Sequence, residues 1–145
     1  MNKPIPPGSD QQAVDDSHEE RCPGCLFCEI PSHRIIDFNS LAYAIRDMYP
    51  VTELHTLVIP RRHTASYFDL GQSEIDAITE LLQRIQASIR EQDTSVEAFN
   101  VGINDGEAAG QTIPHCHIHL IPRRKGDVRE PRGGVRHTIP GRGNY

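Results

Sequence analysis

The chain of 145 residues contains no tryptophan, two methionines and 6% aromatic residues, and it lacks a long uninterrupted apolar run. A helix that crosses a bilayer needs about 20 consecutive apolar residues, so the sequence predicts no membrane span. The first nine residues, MNKPIPPGS, have no apolar stretch, and we therefore expect no secretory signal and a cytoplasmic location. Eleven glycines and 11 prolines are too few for a collagen-like or low-complexity chain. These absences favour a soluble globular protein.

Positive charge is scarce except near the C-terminal end. With histidine neutral, residues 1–21 carry a net charge of −3, residues 22–121 carry −7, and residues 122–145 carry +5. A general nucleic-acid binder needs a dominant positive field, so we expect no nucleic-acid partner. The basic segment suits a local site for a small polyanion, although a solvated arginine-rich tail explains the same charges.

The polar and apolar patterns predict one domain behind a polar tail. Residues 1–21 have almost no large apolar side chains, so we expect a disordered N-terminal tail, followed by one domain over residues 22–145. Apolar residues recur at helical spacing over Gln72–Asp93, and Ser73 with Asp76 suggests a capping-box variant at the start of this helix. Five further segments have strand patterns: Arg34–Phe38, Leu41–Arg46, His55–Ile59, Ala98–Ile103 and His115–Ile121. This order favours an α+β fold with an antiparallel sheet.

The segment Pro114–Pro122, PHCHIHLIP, places His115, His117 and His119 at alternate positions. On a strand these side chains share one face, and the small or apolar residues between them share the other, so we expect the imidazoles to line a cleft. A single zinc site for all three does not fit, because His115 and His119 would lie about 13 Å apart at Cα. A neutral imidazole can instead act as a base or nucleophile, and its attack on phosphorus would give a covalent phosphoramidate.

Cys22, Cys25 and Cys28 form two overlapping CxxC pairs. Without an expected secretory signal, this spacing favours zinc or redox chemistry over structural disulfides, with simple reduced thiols as the alternative. A tetrahedral zinc site would need two more ligands. The candidates are His33, His55, His63 and His115.

A glycine-rich loop, NDGEAAGQ at residues 104–111, precedes the histidine segment. Backbone N–H groups in such a turn can form an anion-binding nest, and neighbouring Asn, Gln and Thr side chains donate hydrogen bonds without adding charge. On glycine content alone, a structural turn is the simpler interpretation.

The segment GQTIPHCHIHLIPRRKGD resembles the motif of the histidine-triad (HIT) family, in which three histidines alternate with apolar residues. The resemblance extends from about Cys25 to Asp127 and includes the segments CLFCEI and LHTLVIPRRH in the family's order. It implies a HIT-like antiparallel sheet of about five strands, one long helix and short helical segments. The tail RGGVRHTIPGRGNY is similar to tails of bacterial members named as diadenosine polyphosphate hydrolases.

The resemblance also implies roles for individual residues. His117 matches the nucleophile that attacks the α-phosphorus, and a protonated His119 would bind the phosphate or bridging oxygen. His55 and His115 complete the implied catalytic group. Asp47 would hold the ribose hydroxyls. The implied phosphate-binding residues are Asn104, Gly110, Gln111 and Thr112, and the implied walls around the base are Leu26, Phe27, Ile45 and Met48.

The resemblance further implies a structural zinc site and a homodimer that forms through the helix and a sheet edge. The implied ligands are Cys25, Cys28, His63 and His115. This set leaves no open position on the metal, and Cys22 would either replace Cys25 or remain free.

The expected function is a nucleotide hydrolase or transferase that cleaves at the α-phosphate through a nucleotidyl-histidine intermediate. Its substrates would be dinucleoside polyphosphates or nucleoside phosphoramidates that contain AMP or GMP. A nucleotide-binding interaction protein with little turnover is the alternative. Arg123, Arg124 and Lys125 would contact distal phosphates or remain solvated charges at the strand end.

Overall fold

The computed structural model of the chain describes residues 20–145. Its strands are β1 (Ile35–Phe38), β2 (Ala42–Arg46), β3 (Thr56–Pro60), β4 (Val96–Gly102) and β5 (Ile118–Arg124). They form one antiparallel sheet in the order β1-β2-β3-β5-β4. The expected α+β fold is therefore confirmed. The disorder predicted for residues 1–21 falls outside the described residues, apart from Glu20 and Arg21.

The long helix α1 (Gln72–Gln92) connects β3 with β4 and matches the predicted helix closely. The capping prediction was wrong: the cap is Gly71, whose N–H donates to the Glu74 carboxylate at 2.8 Å, because the residue three positions after this cap is Glu74. Asp76 instead accepts a hydrogen bond from Gln72 at 2.8 Å. No helix within residues 20–145 combines the length and apolarity needed to cross a bilayer.

Alternation along the strands gives the sheet two differently covered faces. In β2, Ala42 and Ala44 pack against α1, whereas Tyr43 and Ile45 point to the opposite face. The N-terminal segment covers that second face with Phe27, and the Tyr43 hydroxyl donates to the Phe27 carbonyl. Burial raises the pKa of Tyr43 well above its usual range, so this hydroxyl remains a donor. The face opposite α1 carries the candidate site.

The strand predicted over His115–Ile121 begins later than expected, because β5 pairs with β3 only from Ile118 onward. Before that point the backbone turns toward loops. The His115 N–H donates to the Ile113 carbonyl at 2.8 Å, and the Cys116 N–H donates to the Thr64 carbonyl at 2.7 Å. Alternation nevertheless continues upstream of the ladder, because Cys116 packs in the same core cluster as Ile118 and Leu120, and the His115 ring lies on the side of Phe27.

The basic residues at the end of β5 are largely engaged in ion pairs. Arg123 binds Asp127 at 2.7 Å and the Asn100 side chain at 2.7 Å, and Arg124 binds Asp93 at 2.7 Å. Hydrogen bonds from Ser95 and Arg124 lower the pKa of Asp93 to about 2. The two arginines are therefore partly exposed but held in ion pairs, whereas Lys125 is exposed.

Candidate active site

A cavity of about 360 Å³ lies on the face of the sheet opposite α1. Its size falls within the range of roughly 300–1,000 Å³ that is typical of small-molecule sites. The structure brings eleven predicted site residues together in its lining: Leu26, Phe27, Ile45, Asp47, Met48, His55, Asn104, Gly110, Thr112, His117 and His119. Of the residues predicted for catalysis or substrate binding, Gln111 and His115 lie outside the lining and have other contacts.

His117 is buried, and a hydrogen bond to the main chain fixes its tautomer. Its Nδ1 lies 2.8 Å from the His115 carbonyl oxygen, which can only accept, so Nδ1 carries the proton. The lone pair is therefore on Nε2, for which the described residues provide no hydrogen-bond partner. The Phe27 ring packs edge-on against the imidazole, with the ring centroids 5.1 Å apart. The side chain lines the cavity with its nucleophilic nitrogen free.

A second chain of hydrogen bonds determines the tautomer of His119. The Val51 N–H donates to Nδ1 of His55 at 3.2 Å, so the proton of His55 is on Nε2. That nitrogen lies 2.9 Å from Nδ1 of His119 and donates to it, which places the His119 proton on Nε2. Asp47 lies beside the pair, with its Oδ2 3.6 Å from Nε2 of His55.

Both of these histidines are neutral at neutral pH. Burial and the neighbouring imidazoles of His117 and His55 lower the pKa of His119 to about 4, and burial also lowers the pKa of His55. In the ligand-free protein, burial therefore disfavours the protonated His119 that the resemblance implies. The residue donates a hydrogen bond through a neutral Nε2–H instead.

Asp47, His55 and His119 bring potential ligand atoms within 4.8 Å of one another, a spacing that could also suit a metal ion. A metal-bound imidazole carries its proton on the other ring nitrogen and donates it. In His55, however, that nitrogen accepts the Val51 N–H. The hydrogen-bond pattern therefore favours proton positioning over metal binding at these three residues.

The glycine-rich loop provides the neutral donors at one end of the cavity. Gly110 has φ of 94°, a left-handed conformation that favours glycine, and the Asn104 amide lies beside it. Within residues 20–145, no hydrogen-bond partner occupies the Asn104 amide, which leaves it available to a ligand. The exposed Thr112 lines both this cavity and a neighbouring one of about 630 Å³.

Gln111 stabilises the loop internally. Its side-chain nitrogen donates to the Ala65 carbonyl at 2.9 Å and to the Ile113 carbonyl at 3.1 Å, and its oxygen accepts the Gly106 N–H at 2.7 Å. Both amide hydrogens are thus used in this conformation. The geometry assigns Gln111 to positioning the loop rather than to donating to a phosphate.

A second cluster lies beside the cavity and contains Cys25, Cys28, His63 and His115, whose ligand atoms are all within 4.8 Å of one another. Nε2 of His115 donates to the Pro60 carbonyl at 2.8 Å, so the lone pair on Nδ1 faces the two sulfur atoms, each at 3.5 Å. Nδ1 of His63 lies 3.4 Å from the Cys28 sulfur. Two sulfur and two imidazole ligands fit a closed tetrahedral zinc site.

The remaining cysteine and histidine candidates contribute no ligand atom to this cluster. Cys22 is exposed, and its backbone N–H donates to the Cys28 sulfur at 3.4 Å, whereas its own sulfur hydrogen-bonds the Pro23 carbonyl at 3.8 Å. His55 belongs to the hydrogen-bond chain described above, and His33 is exposed on the 3-10 turn Ser32–Arg34. Burial raises the pKa of the Cys28 thiol, so a thiolate at this position calls for a neighbouring cation.

Sequence reasoning missed five residues that line the cavity: Arg34, Tyr49, Val51, Leu57 and Ile113. Alternation in HTLVI could have placed Leu57 on the same face as the histidine side chains. The contribution of Val51 comes from its backbone N–H, which no side-chain pattern can reveal. Arg34 comes from the far edge of the sheet, so only the strand order brings it to the cavity.

Comparisons with known proteins agree with this arrangement. Residues 28–126 match the family model described as the HIT domain. The chain is 41% identical over 92 residues to the asymmetrical bis(5'-nucleosyl)-tetraphosphatase of Schizosaccharomyces pombe, which covers 63% of this chain and 50% of that protein. It therefore spans half the length of this relative. It is also 30% identical over 108 residues to the adenosine 5'-monophosphoramidase of Candida albicans, covering 69% of this chain and 70% of the other.

A solved structure shows the same fold. The Zn-bound histidine triad family protein of Mycobacterium smegmatis is 38% identical, with a TM-score of 0.64, and the match covers 72% of this chain and 78% of that one. The family model alone spans more than half of the residues. The chain belongs to the HIT family.

Proposed function

We propose that this protein is a nucleotide hydrolase that cleaves at the α-phosphate of nucleoside phosphoanhydrides or phosphoramidates. The observation that carries the proposal is the tautomer of His117. Its Nδ1–H donates to the His115 carbonyl, while Nε2 lines the cavity without a hydrogen-bond partner from residues 20–145. Relatives named as a tetraphosphatase and a phosphoramidase support the same class of substrate.

In the first step, the Nε2 lone pair of His117 attacks the α-phosphorus. A P–N bond forms, and the bond from phosphorus to the leaving group breaks with its electron pair on the leaving atom. The loop N–H groups, Asn104 and Thr112 stabilise charge on the phosphoryl oxygens. Nε2–H of His119 donates a hydrogen bond to the leaving group. A leaving phosphate departs as an anion and needs no proton, whereas a leaving amine must take one proton, which solvent water supplies. A neutral His119 therefore favours phosphoanhydrides within the substrate class.

In the second step, water attacks the phosphorus of the nucleotidyl-histidine. The P–N bond breaks, the electron pair returns to Nε2 of His117, and the proton of the water passes to solvent. The hydrogen bond from Nδ1–H to the His115 carbonyl holds the imidazole in one orientation through both steps. The nucleoside monophosphate is released.

The Cys25, Cys28, His63 and His115 cluster would hold a zinc ion with a structural role. The two cysteines belong to the N-terminal segment, and His115 lies two residues before the reactive histidine. A bound ion would therefore link the segment that covers the second face of the sheet to the start of the catalytic segment.

A homodimer is part of the proposal, since β4 is an edge strand and its Val101 side chain is 50% exposed. Unpaired edge strands offer backbone donors and acceptors to another chain. Light scattering coupled to size-exclusion chromatography should give twice the chain mass. A monomer at micromolar concentration would contradict the dimer without affecting the chemistry.

The central experiment combines turnover with detection of the intermediate. The protein is incubated with a fluorogenic adenosine phosphoramidate and with diadenosine tetraphosphate, and quenched samples are analysed by intact-protein mass spectrometry. We expect release of AMP from both and a transient adenylylated species. His117→Gln is the control and should show neither. Nucleotide binding without turnover or adduct would instead support a binding protein.

A further inference from the structure

Arg34 lines the same cavity as the catalytic histidines, but its side chain has no polar partner in the described part of the chain. It is half-buried at the end of the 3-10 turn Ser32–Arg34, directly before β1. Its guanidinium makes no hydrogen bond or ion pair within residues 20–145. This distinguishes it from Arg46, Arg62 and Arg84, whose guanidinium groups all have acceptors.

The sheet order places Arg34 at the end of the cavity farthest from the reactive nitrogen. Strand β1 is separated from β5 by β2 and β3, which is three strand spacings, or about 14 Å. Ile35, the next residue, pairs with Ile45, one of the apolar walls of the cavity. If His117 binds the α-phosphate and Asp47 binds the ribose, Arg34 lies where the edge of the base would be.

The donor pattern of a guanidinium discriminates between bases. Arginine offers only donors, in a planar fork, and cannot accept a hydrogen bond. Guanine presents two adjacent acceptors, O6 and N7, to such a fork, whereas adenine presents the N7 acceptor beside the N6 donor. The apolar walls contributed by Leu26, Phe27 and Ile45 hold a base without distinguishing its polar edge.

We infer that Arg34 is a specificity-determining residue that selects 6-oxopurine nucleotides, those of guanine and hypoxanthine, over adenine nucleotides. The inference rests on the proposed function, because that function places a nucleoside in the cavity. Among the described residues that line the cavity, Arg34 is the only lysine or arginine. A base that turns its O6 and N7 edge toward β1 would therefore accept two hydrogen bonds from the Arg34 guanidinium.

The test measures binding and turnover separately. Calorimetry gives the dissociation constants of GMP, IMP and AMP, and fluorogenic phosphoramidates of guanosine, inosine, 7-deazaguanosine and adenosine give kcat/KM. We expect GMP and IMP to bind about tenfold more tightly than AMP, the discrimination typical of one bidentate contact. The 7-deazaguanosine substrate, which lacks N7, should lose most of the advantage in kcat/KM.

Arg34→Met keeps the apolar stem and removes the donors, so it should bring the three affinities within about threefold of one another. Arg34→Lys should keep only part of the preference, since an ammonium lacks the fork. Arg90→Met, on the opposite side of the sheet, is the matched control and should behave as wild type. Thermal melts of each variant establish that it is folded.

Equal affinity for GMP and AMP in the wild type would overturn the inference, as would an unchanged preference in folded Arg34→Met. Tight GMP binding with IMP as weak as AMP would also overturn it, because it would show that the 2-amino group is recognised. If the substrates are not turned over, the proposed function fails, but the three dissociation constants still decide the role of Arg34.

Discussion

His115 and His117 lie two residues apart on one segment and are both buried, yet their free ring nitrogens face different groups. His115 donates its Nε2–H to the Pro60 carbonyl, which turns Nδ1 toward the cysteine sulfurs. His117 donates its Nδ1–H to the His115 carbonyl, which leaves Nε2 free in the cavity. The same residue type therefore becomes a potential metal ligand or a nucleophile according to which ring nitrogen the backbone binds.

The cysteine–histidine cluster around His115 and the cavity around His117 are two regions that also differ in whether their polar atoms have partners. The cysteine–histidine cluster is closed, since each ligand atom faces the others. The cavity is open, because Nε2 of His117 and the Asn104 amide have no partners among the described residues. The Phe27 ring lies between the regions, with centroids 6.0 Å from His115 and 5.1 Å from His117. Disrupting one region should therefore have a different signature from disrupting the other.

The largest effect is expected in the open region, from His117→Ala. The variant lacks the attacking nitrogen, so turnover of a fluorogenic phosphoramidate should fall by at least about 10³-fold. Zinc content and melting temperature should change little, because the side chain makes a single hydrogen bond. Residual activity within tenfold of wild type would contradict the assignment of His117 as nucleophile.

His55→Ala should reduce kcat by about 100-fold, the lower range for losing a proton-positioning group. The variant removes the donor to Nδ1 of His119, so the proton of that residue is no longer confined to Nε2. Single-turnover kinetics should show slower chemistry with nucleotide affinity nearly unchanged. His55→Gln retains a donor and should recover part of the rate. An equal loss in both variants would indicate a structural role instead.

Much of this site could be predicted from sequence, and the successes share a physical basis. The periodicity of α1 located the helix within one residue, because a helix that packs one face repeats its apolar positions. The eleven predicted residues found in the cavity come from segments that the family resemblance aligns. Side-chain identity is visible in a sequence, and it sufficed for these positions.

The failures concern backbone contacts and tertiary burial. Alternation placed His115 on the same face as His117, but it did not show that the ladder begins only at Ile118 or that His115 turns toward the cysteine sulfurs instead of lining the cavity. The charge of His119 depends on burial among other imidazoles, and the cap of α1 depends on where the chain enters the helix. None of these features has a local sequence signature.

Cys25→Ser should disrupt the cysteine–histidine cluster and leave the cavity intact. A zinc ion present at 100 times its dissociation constant stabilises the fold by about 2.7 kcal/mol, so losing it should cost at least about 2 kcal/mol in the free energy of unfolding. Elemental analysis should show reduced zinc, and turnover per folded molecule should stay within a few fold. Cys22→Ser is the matched control, and we expect wild-type zinc content and stability.

If Cys22→Ser loses zinc while Cys25→Ser keeps it, the ligand assignment of the two cysteines is reversed. If neither variant alters the metal content, the cluster does not bind zinc under the conditions used. The cluster and the cavity act independently only if zinc content and turnover respond to different substitutions.

The most gradual effect is a pH dependence of stability that originates in the cavity. The pKa of His119 is about 4 in the folded protein, whereas an unperturbed histidine has a pKa of about 6.5. Between these values the unfolded chain binds the extra proton and the folded protein does not. The contribution of His119 to the free energy of unfolding should therefore be fully present above about pH 6.5. It should be lost as the pH drops toward 4, by up to about 1.4 kcal/mol per pH unit for this one proton. The lowered pKa of His55 acts in the same direction.

Urea denaturation at several pH values between about 4.5 and 7.5 measures this slope. His119→Gln keeps an acceptor for His55 but cannot titrate in this range, so its stability should depend less steeply on pH than that of the wild type. His137→Gln, at an exposed position near the C-terminus, is the control and should retain the wild-type slope. Parallel curves for wild type and His119→Gln would mean that His119 takes up its proton equally in the folded and unfolded states. The lowered pKa of His119 in the folded protein would then have to be abandoned, although an imidazole with the ordinary pKa of about 6.5 is still mostly neutral above pH 7.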